Sequence, residues 1–338
     1  YQNPDSVYVG IDLSRKAIAH GQAMIDALGL ENISLRHCDI LDVDESFGSF
    51  DYIITHGVYS WVPEPVRDKV LAISQRHLTA NGVSYISYNA HPYSYMRDMV
   101  RAMLRFHTKH LTDEQSKIPQ ARAIVEFIAD ASPADSVHGA VMREQRERIR
   151  SMSDELLLHD DLNEGATAFL LSYVVDAAKR KDLQYLGDVD VSRSDIRQYS
   201  EQVRNALEQF PDASFADRDQ YQDLIDGKGF RRTLFCRDDV RLKRRLDHDF
   251  INAFFVSASV EPKGELCNVA DDSPVEYATG LKESIFVSAP LLKAALVCLS
   301  RTWPAAESVP QLLQDSLNLL GPSVRFESTE AAMVELQS

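Results

Sequence analysis

Several protein classes are excluded by what the sequence lacks. It has only four cysteines in 338 residues, Cys38, Cys236, Cys267 and Cys298. No two form a C-x-x-C pair, so neither a zinc motif nor a dithiol motif is indicated, no metal site is expected, and the usage suits a reducing compartment. No apolar run reaches the ~20 residues needed to span a bilayer. The nearest, Ser284 to Ser300, is interrupted by Lys293 and reads as a buried core helix. Positive charge is scarce as well: 36 Lys and Arg face 51 Asp and Glu, for a net charge of −15. That balance argues against binding to a phosphate backbone and mainly keeps a protein soluble. Finally, no G-x-G-x-x-G or similar glycine-rich run occurs, so these residues encode no such backbone cradle for an anionic group.

What remains is an ordinary globular composition, 44% hydrophobic and 26% charged, on a chain long enough for two or three domains. The first ninety or so residues alternate between two periods. Val7 to Ile11 is a β-prone run that ends at Asp12. Ser14 offers an N-cap, Ile18, Ile25 and Leu28 recur at helical spacing, and Gly29 offers a C-cap. Ile33 to Leu35 and Cys38-Asp39-Ile40 read as a second strand ending in an acid. Phe50 to Ile54 is a third strand, running into Thr55-His56-Gly57. A helix follows Pro63 and Pro65, with Val66, Val70, Ile73 and Leu78 on one face, and Asn81-Gly82 ends it. Val83 to Tyr88 is a fourth strand. This alternation predicts a parallel sheet covered by helices. In such sheets ligands bind beyond the carboxyl ends of the strands. Here those ends are Asp12, Asp39, Thr55-His56-Gly57 and Tyr88-Asn89.

These strand ends carry a resemblance. Val9-Gly10-Ile11-Asp12-Leu13-Ser14 resembles the end of the second strand in class I S-adenosylmethionine (AdoMet)-dependent methyltransferases, whose fold is Rossmann-like. The resemblance implies that Asp12 binds the ribose hydroxyls of the cofactor, with Leu13 and Ser14 beside it. It implies that Asp39 binds the adenine amino group and Ile40 packs on the ring. It also implies that Thr55 and His56 pass beneath the methionine part. Thr55 to Pro63 and Ser87-Tyr88-Asn89 narrow the match to a bacterial subgroup with a methyltransferase regulatory domain. His159-Asp160-Asp161-Leu162 and Phe230 to Leu234 point the same way, and rickettsial-type protein lysine methyltransferases are similar. The family's glycine-rich loop would fall ~20 residues before Asp12, ahead of Tyr1. On that reading the first strand is missing, and this chain as written holds its cofactor poorly or not at all.

Beyond Asn89 the pattern is helical over Tyr95 to His110, Ala121 to Ala131 and Val141 to Ser151. Met96, Met99 and Met103 form a stripe that reads as core packing. Arg143, Arg146, Arg148 and Arg150 interleave with Glu144 and Glu147 as a solvated, ion-paired face. Asn163 to Arg180 reads as a further helix, Leu183 to Asp188 as a strand, and Phe230 to Arg237 as a charged edge strand. Basic residues continue from there to Arg245. The expected fold is therefore α/β, in four parts. Residues 1–91 begin the methyltransferase core, 92–162 form a helical insertion or lid, 163–245 complete the core, and 246–338 form a small α+β module, winged-helix-like in pattern.

The function implied is AdoMet-dependent methyl transfer, with protein lysine as acceptor. A lysine ammonium must lose a proton before it can attack, and an apolar, aromatic pocket favours that. His56, Tyr59, Trp61, Tyr88 and Asn89 are the expected catalytic ring. The expected partners are a protein substrate or a small molecule and a second copy of the chain, in the cytoplasm, with no nucleic acid and no membrane span. A non-catalytic regulatory protein on the same scaffold is the alternative. An NAD-dependent oxidoreductase also places an acid after its second strand, but leaves Thr55 to Pro63 and Ser87 to Asn89 unexplained.

Overall fold

A computed structural model describes residues 4–163, 165–190, 196–211, 214–244, 248–263, 269–279 and 284–324, together with 326, 328, 331–333 and 336. Cys267, Arg245 and Leu246 lie outside the described residues. The chain divides into two compact units, Tyr1–Leu242 and Lys243–Ser338.

The first unit opens with strand β1 (Tyr8–Asp12), helix α1 (Arg15–Leu28) and strand β2 (Ile33–His37). Local chemistry sets this helix. The Ser14 hydroxyl accepts the Ala17 N–H at 3.2 Å, and Gly29 ends the helix at φ 63°, a left-handed conformation that glycine adopts without strain. β1 and β2 pair in parallel. Leu35 wedges between strand and helix: a Cβ on Gly10 or Gly21 would stand 2.6 Å from its methyl carbons. β2 stops two residues before Asp39, earlier than the sequence suggests. The Asp39 carboxylate accepts the Leu41 N–H at 2.9 Å, and that bond starts a tight helical turn over Ile40–Asp42 in place of further strand.

A second sheet follows, built from β3 (Phe50–Thr55), β4 (Leu78–Asn89), β5 (Leu183–Asp188) and β6 (Phe230–Arg237) in the order β3-β4-β6-β5. β3 and β4 are parallel, and β6 runs antiparallel to both its neighbours. Three expectations change here. Asn81-Gly82 does not end a helix. Helix α2 (Glu64–His77) stops at His77, and the pair lies within β4, where the register against β3 shifts. β6 is no edge strand, since β4 and β5 flank it. The helix expected from Asn163 begins only at Leu171, as α7 (Leu171–Lys179), because Phe169 first bridges to Ala90 beside β4. Val70 and Leu71 of α2, Leu171 and Val174 of α7, and Ile86 and Phe235 of the sheet share one core. Each such side chain contributes ~1.5–3 kcal/mol by leaving water.

Between β4 and α7 stands a helical layer with its own core. It comprises α3 (Ser94–Thr108), α4 (Glu114–Ala131), α5 (Val137–Ser151), the short α6 (Asp154–Leu157) and a π-helical turn, Leu158–Leu162. Met99 and Met103 of the methionine stripe pack against Val100, Leu104, Val125 and Met142 there, whereas Met96 is not part of that core. The arginine face is mixed. Arg146 pairs with Asp130 and Arg150 with Glu126 at the surface, but Arg148 turns inward to Asp161. Two further helices, α8 (Glu201–Glu208) and α9 (Phe215–Asp226), precede β6.

The second unit is α+β. A three-stranded antiparallel sheet spans β8 (Val260–Pro262), β9 (Val275–Thr279) and β10 (Ser284–Val287). A short pair joins β7 (Phe255–Val256) to β11 (Glu307–Ser308). After the short α10 (His248–Ile251), its core centres on helices α11 (Pro290–Thr302) and α12 (Val309–Leu320). Lys293 is fully buried on α11 and held by Asp271 and Ser273. Among the described residues no helix is long and apolar enough to cross a membrane.

Candidate functional site

β1 and β3 belong to separate sheets, and a cavity of about 440 Å³ lies between them. Its walls are Val9 to Asp12 on one side and Tyr52 to His56 on the other, with Ile40, Val43, Val58, Val70 and Ile73 closing it. β3 is nonetheless bare here, since Tyr52 and Ile54 are each 72% exposed. At the carboxyl ends of the strands the wall becomes polar. There it holds Asp12, Thr55 and His56, with Ile40 as an apolar neighbour.

Two acids stand at these strand ends in similar states. One oxygen of Asp12 accepts the Ser14 N–H at 2.6 Å, and one oxygen of Asp39 accepts the Leu41 N–H. The second oxygen of each has no hydrogen-bond partner among the described residues. A carboxylate fixed at one oxygen and open at the other can accept hydroxyl or amino donors from a ligand. Asp12 and Ile40 line the cavity, whereas Leu13 and Ser14 are exposed beside it and Asp39 is half-buried next to Ile40.

The loop after β3 is sewn to β4 at three points. His56 Nδ1 lies 2.8 Å from the Tyr85 hydroxyl, with the two rings stacked at 5.8 Å. The Gly57 N–H donates to the Ser87 hydroxyl at 2.9 Å. The Asn89 N–H donates to the Ser60 hydroxyl at 2.9 Å. Tyr85 and Ser87 share one face of β4, so strand alternation could have picked both out as anchors.

The expected catalytic ring does not gather around the cavity. Only His56 lines it. Tyr59 and Tyr88 lie in the hydrophobic core with Phe169, their rings 6.0 Å apart. Burial pushes the Tyr59 hydroxyl up to about 12 and raises Tyr88 too, whose hydroxyl bonds Thr233. Asn89 is buried at the end of β4, where its backbone accepts the Phe169 N–H. Trp61 is half-buried and turned toward His159, whose ring lies 4.4 Å away. Among the described residues no three His, Cys, Asp or Glu side chains come together as a metal site.

Similarity to known proteins fits this geometry. Residues 1–152 match the family model of a methyltransferase domain, and residues 153–237 match that of a predicted methyltransferase regulatory domain. The protein RP028 of Rickettsia prowazekii is 34% identical over 184 residues, 54% of this chain and 74% of that protein. The chain belongs to this methyltransferase family. A second Rickettsia prowazekii protein, RP789, is 34% identical over 303 residues, 88% of this chain and 54% of that protein. Among solved structures, PKMT2 from Rickettsia typhi is similar with a TM-score of 0.86 and 27% identity, over 99% of this chain and 64% of that one. PKMT2 has also been solved in complex with AdoHcy. The chain thus spans between half and two-thirds of the length of RP789 and PKMT2.

Proposed function

We propose that this chain works in AdoMet-dependent methyl transfer to protein lysine. The observation that carries the reading is the polar end of the cavity, where Asp12, Ile40, Thr55 and His56 meet at the carboxyl ends of three strand segments. The residues present suit the nucleoside half of the cofactor: two acids with an open oxygen each, and an apolar side chain beside them. When bound, AdoMet supplies a methyl group made electrophilic by its sulfonium. The chain's own residues bind, orient and manage a proton. Asp12 and Asp39 accept hydrogen bonds from the nucleoside, and Ile40 covers a ring face. Thr55 and His56 border the reacting end. With Nδ1 engaged by Tyr85, His56 offers Nε2 to take the proton an acceptor amine must lose. The acceptor, a homodimer and a cytoplasmic setting are all parts of this proposal.

One observation favours a second reading, a regulatory protein that transfers nothing: residues 153–237 match the model of a predicted methyltransferase regulatory domain. AdoHcy calorimetry and radiolabelled methyl transfer to a protein extract, both with the full-length protein, separate the two. The expected result is binding that Asp12→Ala weakens about 10- to 100-fold, the worth of hydrogen bonds to a charged group. Transfer without any sensitivity to Asp12 removes the assigned site. Neither binding nor transfer overturns the enzymatic reading.

A further inference from the structure

Trp61 is gripped from the helical layer by two side chains. The His159 ring lies 4.4 Å from the indole at 50°, and the Arg101 guanidinium stands 6.0 Å over it. Both gripping groups are fixed in turn. His159 Nδ1 lies 2.9 Å from an Asp160 oxygen. Arg101 donates from Nε to the Asp160 carbonyl at 2.9 Å and from Nη1 to Asp98 at 3.0 Å. Beneath them is Asp161, 0% exposed. It takes a bidentate pair from Arg148 at 2.9 and 3.0 Å, with Arg101 at 3.7 Å and Arg97 at 3.8 Å. His159, Asp160 and Asp161 all belong to the π-helical turn, a rare form that is frequent at functional sites.

This cluster is poorly suited to stability alone. Burial pulls the Arg97 guanidinium below its ordinary range, against the attraction of Asp161, and Arg148 and Arg101 pull it further. Arg97 Nε is buried and has no hydrogen-bond partner among the described residues. An apolar core of the same volume would be at least as stable, and buried charge clusters are best attested as devices that fix one arrangement. What this one touches, through His159 and Arg101, is Trp61 and its loop. The same loop carries His56 and Val58 into the cavity wall, and Ser60 ties it to Asn89 and Thr167.

We propose that Asp161 is a positioning residue: through Arg101 and the turn bearing His159 it clamps Trp61, and through Trp61 it sets where His56 stands. The clamp rests on the methyl-transfer reading only for its effect on rate. Trp61 and Trp303 are the only two tryptophans, so a Trp303→Phe background of the full chain reports on Trp61 alone. Asp161→Asn is expected to move Trp61 emission to longer wavelength, raise its quenching by acrylamide and shift the His56 imidazole resonances. His159→Ala, which leaves the arginine cluster intact, is expected to do the same, and so keeps the test valid if Asp161→Asn folds poorly. Asp161→Glu is expected to restore part of each signal. AdoHcy affinity should stay within about two-fold, as for separated sites. The kcat for methyl transfer should fall about 10- to 100-fold, as for a misplaced reacting group. Unchanged Trp61 emission or unchanged His56 resonances in both variants overturn the clamp. A wild-type protein that transfers no methyl overturns the proposed function instead, and the two spectroscopic signals still decide the clamp.

Discussion

The first unit buries two charged centres of opposite sign. In the helical layer one carboxylate, Asp161, faces Arg97, Arg101 and Arg148. In the sheet one guanidinium, Arg231, faces Asp223 and Asp188, with Tyr185 between them. The two differ in completeness. Arg231 Nε and Nη2 make a bidentate pair with Asp223 at 2.6 and 3.0 Å. Its remaining donors reach Tyr185 at 3.1 Å, Asp188 at 3.4 Å and the Asp219 carbonyl at 3.5 Å. Every donor of a rigid fork has found an acceptor. The Asp161 cluster instead leaves Arg97 Nε without one among the described residues. They also differ in wetness: the Arg231 side chain is 3% exposed, whereas Arg97 and Arg148 are 14% and 19% exposed. The sheet centre is a sealed knot on an inner strand, and the helical centre opens toward water. Even the sealed knot is under tension, since burial holds the Asp223 carboxyl above its ordinary 3.8 despite Arg231.

The largest expected effect follows from the sealed knot. Arg231→Met leaves Asp223 and Asp188 buried without their counter-charge, and should destabilise the first unit by about 3–5 kcal/mol. Urea unfolding followed at Trp61 measures it, and a loss below about 1 kcal/mol, the level of a surface pair, would erase the contrast. Asp161→Asn should cost less, about 2–3 kcal/mol, because water reaches two of its three arginines, Arg97 and Arg148. The comparison fails if the two costs come out reversed.

Alkaline pH sharpens the comparison from another side. Tyr59 has a folded pKa of about 12 against an ordinary 10.0, and burial raises Tyr88 and Tyr185 too. A raised acid releases its proton first in the unfolded chain. Its stabilising contribution is therefore whole below pH 10 and is lost as pH rises toward 12. Stability of the first unit should fall steeply across that window, and Tyr59→Phe should flatten the fall. All three tyrosines lie on the sheet side, so in a Tyr93→Phe background, which removes the raised tyrosine beside Arg148, Asp161→Asn should leave the slope unchanged. A slope altered by Asp161→Asn would couple the two centres. The smallest effect belongs to the outer face of α5. Glu126→Gln breaks its pair with Arg150, yet both partners are solvated, and thermal unfolding should register at most ~0.5 kcal/mol.

How much of this can be read from the sequence varies by element. Helix α1 is legible to the residue, because Ser14 and Gly29 act on backbone groups a few positions away. The acids at the strand ends are legible for the same reason. The end of β2 is not, since a carboxylate at Asp39 reads equally as strand end and as cap. Asn81-Gly82 has turn chemistry, yet it pairs into β4 against a strand far away in sequence. Tyr59 and Trp61 stand two positions apart with similar aromatic character. One packs in the core with Tyr88 and Phe169, and the other meets His159.

The sequence by itself determined the alternation of strand and helix, the helix caps, the ordered acids Asp12 and Asp39, and the kinship with methyltransferases. All of these rest on contacts within a few residues or on a one-dimensional pattern. Only the tertiary structure decided which aromatic rings are core, that β6 lies inside the sheet, that Arg148 turns inward, and that His159 meets Trp61. Those outcomes depend on which distant segments share a dry interior. A charge or a ring is assigned its role there by partners that no local pattern names, as Arg231 is by Asp188.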